Sequence, residues 1–120
     1  MEHRENMRAR GAKYETEAAR YLARQGYRIV ERNFRCRYGE IDMIARKDSY
    51  LVFIEVKYRK TAAMGMPQEA VDRKKQRVIS RVADYYCLKH GYSEVTPCRF
   101  DVVAILGDEI TIIENAFEHR

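Results

Sequence analysis

The spacing of hydrophobic residues changes from a helical period to strand-like alternation near residue 26. Residues 7–25 predict a first helix, and Gly26 follows where that helix would end. Its apolar stripe includes Ala18, Ala19 and Leu22. Glu15 precedes these residues by three, four and seven positions, so it shares their inward face. An acid on that face is unexpected, because burying an unpartnered charge is costly.

Alternating apolar and polar residues predict strands at residues 27–35, 39–46 and 50–59. The third strand is apolar on both faces, which is typical of a central strand covered twice. Its faces are lined by Val52, Ile54 and Val56 on one side and by Leu51 and Phe53 on the other. Two further strands, residues 98–106 and 109–113, flank a hairpin-type turn at Gly107-Asp108.

A second helix is predicted for residues 68–90, after a loop at residues 60–67 and before Gly91. Its apolar stripe consists of Val71, Val78, Ile79, Val82 and Tyr86. The resulting order αβββαββ predicts an α/β fold in which helices flank a mixed β-sheet of about five strands. The 120 residues suffice for one domain with a hydrophobic core. We expect flexible tails at residues 1–6 and 115–120.

Composition narrows the class of protein. Hydrophobic residues make up 46% and charged residues 34%, as in many soluble globular proteins. Lys and Arg outnumber Asp and Glu 23 to 18, which favours polyanions such as nucleic acid, although many basic proteins bind none. The N-terminus lacks the apolar segment of a signal peptide, and the longest apolar run, residues 102–106, cannot cross a bilayer. We therefore expect a cytoplasmic protein without a membrane partner.

Cysteine and histidine offer little chemistry in this sequence. The cysteines are odd in number and widely spaced: Cys36, Cys87 and Cys98. Such spacing argues against a disulfide framework or a zinc site. The histidines lie near the chain ends or at a helix end: His3, His90 and His119. Proton transfer would therefore need a carboxylate, a lysine or metal-bound water.

Charged residues interrupt the two strands of the first predicted hairpin. Glu55 and Lys57 stand two apart in an apolar strand, so their side chains share one face. If Asp48-Ser49 forms the turn, Lys47 faces Tyr50. The same register then places Asp42 opposite Glu55 and Glu40 opposite Lys57. Directly opposed Cβ atoms lie roughly 5 Å apart, so two opposed carboxylates need a proton or a cation between them.

These acids predict a site for Mg²⁺ or Mn²⁺, hard cations that prefer oxygen ligands. Asp42 and Glu55 would be direct ligands, and Glu15 would reach the ion through water. Lys57 could orient or deprotonate the attacking water, or neutralise charge in a phosphorane-like transition state. In the alternative interpretation, the acids merely pair with Lys57 and nearby arginines at a sheet edge.

Basic and aromatic residues allow two interpretations as well. Basic candidates for phosphate contact flank the strands and begin the second helix: Arg32, Arg35, Arg37, Arg59, Lys60, Arg73, Lys74, Lys75, Arg77 and Arg81. A solvated face is the usual explanation of such runs. Three tyrosines could stack on unpaired bases or lie half-buried in the core: Tyr14, Tyr38 and Tyr58.

Several motifs follow one another in order along residues 11–105. They are Gly11-x-x-x-Glu15-x-x-Ala18-x-x-Tyr21-Leu22, Gly26-Tyr27, Asn33-x-Arg35, Gly39-Glu40-Ile41-Asp42, Val52-Phe53-Ile54-Glu55-Val56-Lys57-x-Arg59, Ala70-Val71, Lys75 and Arg99-Phe100-Asp101-Val102-Val103. In this order they resemble the bacterial YraN-like family of uncharacterised proteins. That family is similar to archaeal Holliday junction resolvases within the PD-(D/E)xK nuclease superfamily.

The resemblance implies a restriction-endonuclease-like core with Mg²⁺ at its site. Asp42 falls on the superfamily's metal-binding Asp, Glu55 and Lys57 on its (D/E)xK motif, and Glu15 on the first-helix Glu of resolvase-like members. Gln68 and Lys75 fall near auxiliary positions on the following helix. The sequence departs from the family pattern at Ile41, where the nominal residue is Pro, and at Tyr14, where a small residue is usual.

The leading hypothesis is a metal-dependent endonuclease acting on DNA, with branched or structured substrates. Resolvase-like enzymes generally cut as symmetric dimers, so the resemblance also implies a homodimer, which no residue here indicates by itself. A competing hypothesis is a nucleic-acid-binding or assembly module that keeps the fold without cleaving. A third is a domain that serves only in protein interaction.

Overall fold

The computed structural model describes residues 2–64 and 71–120, with side chains described for residues 11–63 and 71–120. Its helices and strands follow the predicted order αβββαββ. They are α1 (Glu2–Arg24), β1 (Arg28–Cys36), β2 (Gly39–Lys47), β3 (Tyr50–Arg59), α2 (Arg73–Lys89), β4 (Cys98–Leu106) and β5 (Glu109–Phe117), with a short 3₁₀ turn at Ala62–Met64.

The five strands form one mixed sheet in the order β1-β2-β3-β4-β5. Neighbouring strands are antiparallel except for β3 and β4, which run parallel. The chain passes through α2 between these two strands, as a parallel pair requires. This arrangement confirms the predicted α/β class and is consistent with a restriction-endonuclease-like core.

The central strand β3 is covered on both faces, as predicted. Val52 and Ile54 pack in a buried cluster with Ala18 and Leu22 of α1. On the other face, Leu51 and Phe53 pack in a second cluster with residues of α2, among them Ile79, Val82 and Tyr86. Burial of each such large side chain contributes roughly 1.5–3 kcal/mol, so β3 is a rigid platform for whatever it carries.

The helix boundaries differ from the predicted ones. α1 begins at Glu2, five residues before the predicted start, and ends before Gly26, whose φ of 92° suits glycine. α2 begins at Arg73, because the side chain of Asp72 caps it by accepting the Lys75 N–H at 2.8 Å. The predicted start at residue 68 lies outside the described residues, and Val71, assigned to the helical stripe, is buried but precedes the helix.

The C-terminal strand is longer than predicted. β5 continues to Phe117, four residues beyond the predicted end at Ile113. Phe117 is buried and stacks on Phe100 of β4, with 5.0 Å between the ring centroids. The backbone N–H of Arg120 then donates to the Ser80 hydroxyl on α2. Residues 115–117 therefore belong to the sheet and not to a tail.

A buried polar network joins β4 to its neighbours. Asp101 is fully buried and accepts hydrogen bonds from the Tyr27 hydroxyl at 2.6 Å and the Asn115 N–H at 2.9 Å. Two nitrogens of the Arg99 guanidinium also donate to Asp101, each at 2.9 Å. These bonds satisfy a charge that would otherwise be costly to bury.

Candidate metal centre

The β2–β3 ladder ends immediately before Asp42 and Glu55, the two acids that the predicted register places opposite each other. Its pairing runs from Lys47–Tyr50, the predicted first pair, to Met43–Ile54. At the next position, Oδ2 of Asp42 accepts the backbone N–H of Val56 at 2.8 Å. A side chain thus takes the place of a main-chain partner, and the two strands part beside Glu55.

The predicted pairing of Glu40 with Lys57 is wrong, because the ladder ends before it reaches these residues. Glu40 instead lies opposite Arg35 on β1, with 2.7 Å between Arg35 Nε and Glu40 Oε2. The Arg35 side chain is 77% exposed, so this surface ion pair adds little stability.

A local change of face accompanies the end of the ladder. Met43 packs in the cluster on the α1 side, whereas Ile41, two residues earlier, packs in the cluster on the α2 side. In a regular strand these two residues would share a face. On the neighbouring strand, Asn33 has a φ of 54°, and the flanking pairs join Met43 to Arg32 and Ile41 to Phe34. Asp42 therefore lies where the regular alternation of side chains between the two faces of the sheet is broken in β2, opposite the irregular Asn33 of β1.

Asp42 and Glu55 lie just beyond the last β2–β3 pair, so the predicted backbone pairing of these two residues is not formed, although their side chains interact. Burial, followed by a hydrogen bond with Glu55 and that residue's negative charge, raises the pKa of Asp42 to about 8. The Val56 N–H and the positive charge of Lys57 act in the opposite direction. Without a cation, the carboxylate pair therefore retains a proton at neutral pH.

Two lysines approach Glu55 from different layers of the fold. The Nζ atom of Lys57, on β3, lies 3.7 Å from Glu55 Oε2, and the Nζ atom of Lys75, in the first turn of α2, lies 3.4 Å from the same oxygen. The Glu55 side chain is 6% exposed, and its Oε2 atom is buried without a hydrogen-bond partner. Two ion pairs thus compensate this oxygen without hydrogen-bonding it.

Glu15 approaches Asp42 from α1, the helix on the other side of the sheet. Burial and the negative charge of Asp42 raise the pKa of Glu15, whereas the charge of Arg32 and a hydrogen bond with the Asn33 side chain lower it. Its Oε1 atom is buried without a hydrogen-bond partner. A cleft of about 640 Å³ opens beside it, lined by Gly11, Ala12, Glu15, Arg32, Asn33 and Arg35.

The three predicted acids do not form a single cluster. Asp42 interacts with Glu55 and with Glu15, each of which comes from a different face. Within residues 11–63 and 71–120, no group of three or more His, Cys, Asp or Glu side chains has the geometry to hold a metal ion. The geometry therefore offers a pair of carboxylates, with Glu15 beyond Asp42.

The residues at this pair fit a hard divalent cation. Two buried carboxylate oxygens, Glu55 Oε2 and Glu15 Oε1, have no hydrogen-bond partner. A cation, or a water bound to it, could supply the missing contact. The donors are carboxylate oxygens, the ligands that Mg²⁺ and Mn²⁺ prefer. Asp42 and Glu55 would bind the ion directly, and Glu15 could reach its outer shell.

The structure places the predicted phosphate contacts at several separate points. Arg37 donates to the Tyr38 hydroxyl at 2.8 Å, and Arg59 donates to the Tyr58 carbonyl at 2.9 Å. Lys60 and Lys74 are exposed. Among the basic candidates in the described residues, Lys75 is the one that forms an ion pair with Glu55.

The tyrosines divide between packing and exposure. The rings of Tyr14 and Tyr58 stack on each other with 3.8 Å between centroids. This contact explains how a large residue at position 14 fits against β3. Tyr38 remains partly exposed next to Tyr85, so it is the member of the three that could meet a base.

Sequence reasoning missed three features of this site. They are the Val56 N–H that fixes Asp42, the left-handed Asn33, and the ion pair between Lys75 and Glu55. Asparagine adopts positive φ more readily than most residues, so Asn33 could have signalled an irregular strand. Asp72 is a strong N-cap residue and could have placed Lys75 in the first turn of the helix.

Comparisons with known proteins identify the family. The model of the uncharacterised protein family UPF0102 matches residues 14–105. A UPF0102 protein of Lachnoclostridium phytofermentans is 54% identical over 113 residues, covering 94% of this chain and 96% of the relative. A UPF0102 protein of Geobacter sulfurreducens is 49% identical, covering 90% of this chain and 88% of the relative. A UPF0102 protein of Fusobacterium nucleatum is 44% identical, covering 92% of this chain and 92% of the relative. None of the helices described above has the length and hydrophobicity of a membrane span. The chain therefore belongs to the uncharacterised protein family UPF0102, the YraN family that its ordered motifs resemble.

Proposed function

We propose that this protein is a metal-dependent endonuclease that hydrolyses phosphodiester bonds in DNA, with branched or otherwise structured DNA as its substrate class. The observation that carries the proposal is the contact between Asp42 and Glu55 beside Lys57, where burial and the neighbouring carboxylate raise the pKa of Asp42 to about 8. Such a pair is costly in the metal-free protein and is relieved by a cation, as expected of a functional site.

Each residue has a role that follows from its position. A bound Mg²⁺ or Mn²⁺ would supply a Lewis acid and an activated water. Asp42 and Glu55 would hold that ion at the point where β2 and β3 part. Lys57, on the same face as Glu55, would orient the water or offset negative charge on the phosphate, and Glu15 would support the outer shell.

The two histidines whose side chains the structure describes, His90 and His119, support a mechanism without an imidazole base. His90 lies at the C-terminus of α2, where its ring stacks on Tyr86. His119 contacts Asp84 at 2.8 Å on the exposed side of α2. Neither contact involves the carboxylate pair, so proton transfer would fall to the lysine, a carboxylate or metal-bound water.

The positive net charge supports DNA as the partner. The net charge of +5 favours a polyanion, and Arg35, Arg59, Lys60 and Lys74 would contact its backbone. We further propose that the protein is cytoplasmic and forms a homodimer. Sedimentation of the purified protein would test the oligomeric state. The competing proposal is a nucleic-acid-binding module that does not cleave. The separation of Glu15, Asp42 and Glu55 favours it, because the three acids do not form one metal-binding group in the described residues.

The proposal is tested by incubating labelled duplex and four-way-junction DNA with Mg²⁺ or Mn²⁺, with and without EDTA. Asp42→Asn and Glu55→Gln should each lower the cleavage rate by at least about 100-fold, because each removes a ligand charge. Lys57→Ala should lower it by about 100- to 1,000-fold. Glu40→Gln is the matched control, since this acid lies two residues from Asp42 but pairs with Arg35.

The outcomes separate the hypotheses. Unchanged cleavage in all three site variants would rule out the assigned site. Salt-sensitive DNA binding by a native protein that never cuts would favour the binding module. A native protein without salt-dependent DNA affinity would leave a role in protein interaction.

A further inference from the structure

We propose that Lys75 is a resident counter-cation of Glu55 that a divalent ion displaces, and that the freed ammonium group then binds a phosphate of the substrate. The proposal rests on the proposed function, because it takes Glu55 as a metal ligand and nucleic acid as the substrate. It assigns Lys75 a positioning role that couples metal binding to DNA binding.

The contact geometry supports an exchange of cations. Lys75 Nζ and Lys57 Nζ lie 3.4 Å and 3.7 Å from one oxygen, Glu55 Oε2. That oxygen is buried and accepts no hydrogen bond, so neither lysine makes an optimal contact with it. A divalent ion on Glu55 would place a third cation beside these two amines. Like charges at such distances repel strongly in a partly buried site, so one amine must withdraw.

Lys75 is the lysine that can withdraw without disturbing the fold. Lys57 extends from the central strand, where it pairs with Ala104 of β4 and lies two residues from Glu55. Lys75 extends from α2, and its backbone N–H is fixed by the Asp72 cap. The Lys75 side chain is 35% exposed, so its flexible stem can rotate towards solvent while the helix stays in place.

The first turn of α2 is a favourable place for the released amine to meet a phosphate. The turn contains no acidic residue, and it carries the exposed Arg73 and Lys74 next to Lys75. The Asp72 carboxylate already accepts the Lys75 N–H at the helix N-terminus, so a phosphate here would be bound by the basic side chains of the turn and not by its N–H groups. A phosphate close to an ion on Glu55 would therefore lie within reach of Lys75.

The exchange predicts a thermodynamic coupling. Without a divalent ion, Lys75 is held by Glu55 and contributes little to DNA binding. With the ion bound, Lys75 gains a phosphate partner, so metal and DNA should each raise the affinity for the other. Removal of Lys75 should abolish this coupling and also relieve the repulsion that opposes metal binding.

Lys75→Met tests this inference because it removes the charge but retains an unbranched stem, and the cap depends only on the backbone of residue 75. Lys74→Met is the matched control, with the same charge change in the same turn at an exposed position. Calorimetric titration should show Mn²⁺ binding roughly three- to ten-fold tighter in Lys75→Met than in the native protein. Lys74→Met should change Mn²⁺ affinity by less than about two-fold.

DNA affinity, measured against salt concentration, provides the second readout. With Ca²⁺ present, and DNA integrity checked on a gel, Lys75→Met should reduce the salt slope by about 0.9, the loss of one phosphate contact. With EDTA, Lys75→Met and the native protein should have equal slopes. Lys74→Met should have the same effect with and without Ca²⁺.

The results separate this inference from the proposed function. If the native protein cleaves DNA but Lys75→Met and Lys74→Met behave alike in both measurements, the inference is overturned and the nuclease proposal stands. If the coupling depends on Lys75 but nothing is cleaved, the inference stands and the nuclease proposal fails. A native protein that binds no Mn²⁺ would overturn both.

Discussion

The backbone N–H of Val56 donates a 2.8 Å hydrogen bond to Oδ2 of Asp42, at the first position beyond the last β2–β3 pair. This bond lets two neighbouring strands separate without leaving a buried N–H unpaired. It also fixes the orientation of the Asp42 carboxylate beside Glu55. The same side chain therefore ends the ladder and shapes the candidate metal centre.

Asp42→Asn should stabilise the metal-free protein at neutral and alkaline pH. Because the pKa of Asp42 is raised to about 8, the folded state holds a proton that the unfolded state releases above about pH 4. The stability that Asp42 contributes is thus complete below about pH 4 and is lost as pH rises towards 8. Asparagine stays neutral and can still accept the Val56 N–H.

Urea unfolding in EDTA at pH 5, 7 and 8.5 measures this effect. The free energy of unfolding of Asp42→Asn should exceed that of the native protein by about 1–2 kcal/mol at pH 8.5, with a smaller gap at pH 5. Glu40→Gln serves as the control at a partly exposed acid that pairs with Arg35. Parallel pH profiles for native and Asp42→Asn would contradict the shared proton.

Gly39→Ala should destabilise the protein by about 2–3 kcal/mol, because the new Cβ would lie 2.7 Å from Val78 Cγ1 on α2. Gly39 also has a φ of 146°, which other residues rarely adopt. Val78→Ala in the Gly39→Ala background should restore part of the loss by removing the clashing methyl. A double-mutant cycle by thermal unfolding checks this, and strictly additive effects would contradict the contact.

Asp101→Ala should destabilise the protein by about 3 kcal/mol or more, because it leaves the Arg99 guanidinium largely buried without its carboxylate. Tyr27→Phe removes the hydrogen bond that Tyr27 donates to Asp101 and the one that it accepts from Arg99, and should cost about 1–2 kcal/mol. Chemical denaturation measures both. Mn²⁺ affinity of the folded Tyr27→Phe protein should match the native value, since no metal-centre residue belongs to this network. Equal losses of stability in Asp101→Ala and Tyr27→Phe would contradict the expectation that the Asp101 carboxylate is the main partner of the buried Arg99.

Much of the fold could be predicted because its signals are local. The turn at Asp48-Ser49 fixes the strand register, and the two apolar faces of residues 51–56 identify the central strand. The phase of Asp42 relative to Glu55 follows from that register. Gly107-Asp108 likewise separates β4 from β5 as predicted.

The rest of the site depends on contacts between residues far apart in sequence. The predicted register would continue the β2–β3 pairing past Met43. In the folded chain the pairing ends there, because the Asp42 side chain accepts the Val56 N–H. The inward face of α1 identifies Glu15 as unusual but cannot show that it meets Asp42 from the opposite layer. The reach of Lys75 to Glu55 depends on how α2 crosses the sheet, which no local pattern specifies.

Calorimetric titration of Mn²⁺ into the apo protein, at pH 7 and in two buffers of different ionisation enthalpy, tests the central claim most directly. We expect one ion per chain and release of about one proton, because the ion replaces the proton shared by Asp42 and Glu55. Asp42→Asn should release no proton on binding, and Glu55→Gln should weaken binding by at least about ten-fold, whereas Glu40→Gln should match the native protein. Equal Mn²⁺ affinity and equal proton release in the native protein and both site variants would contradict a metal centre at this carboxylate pair.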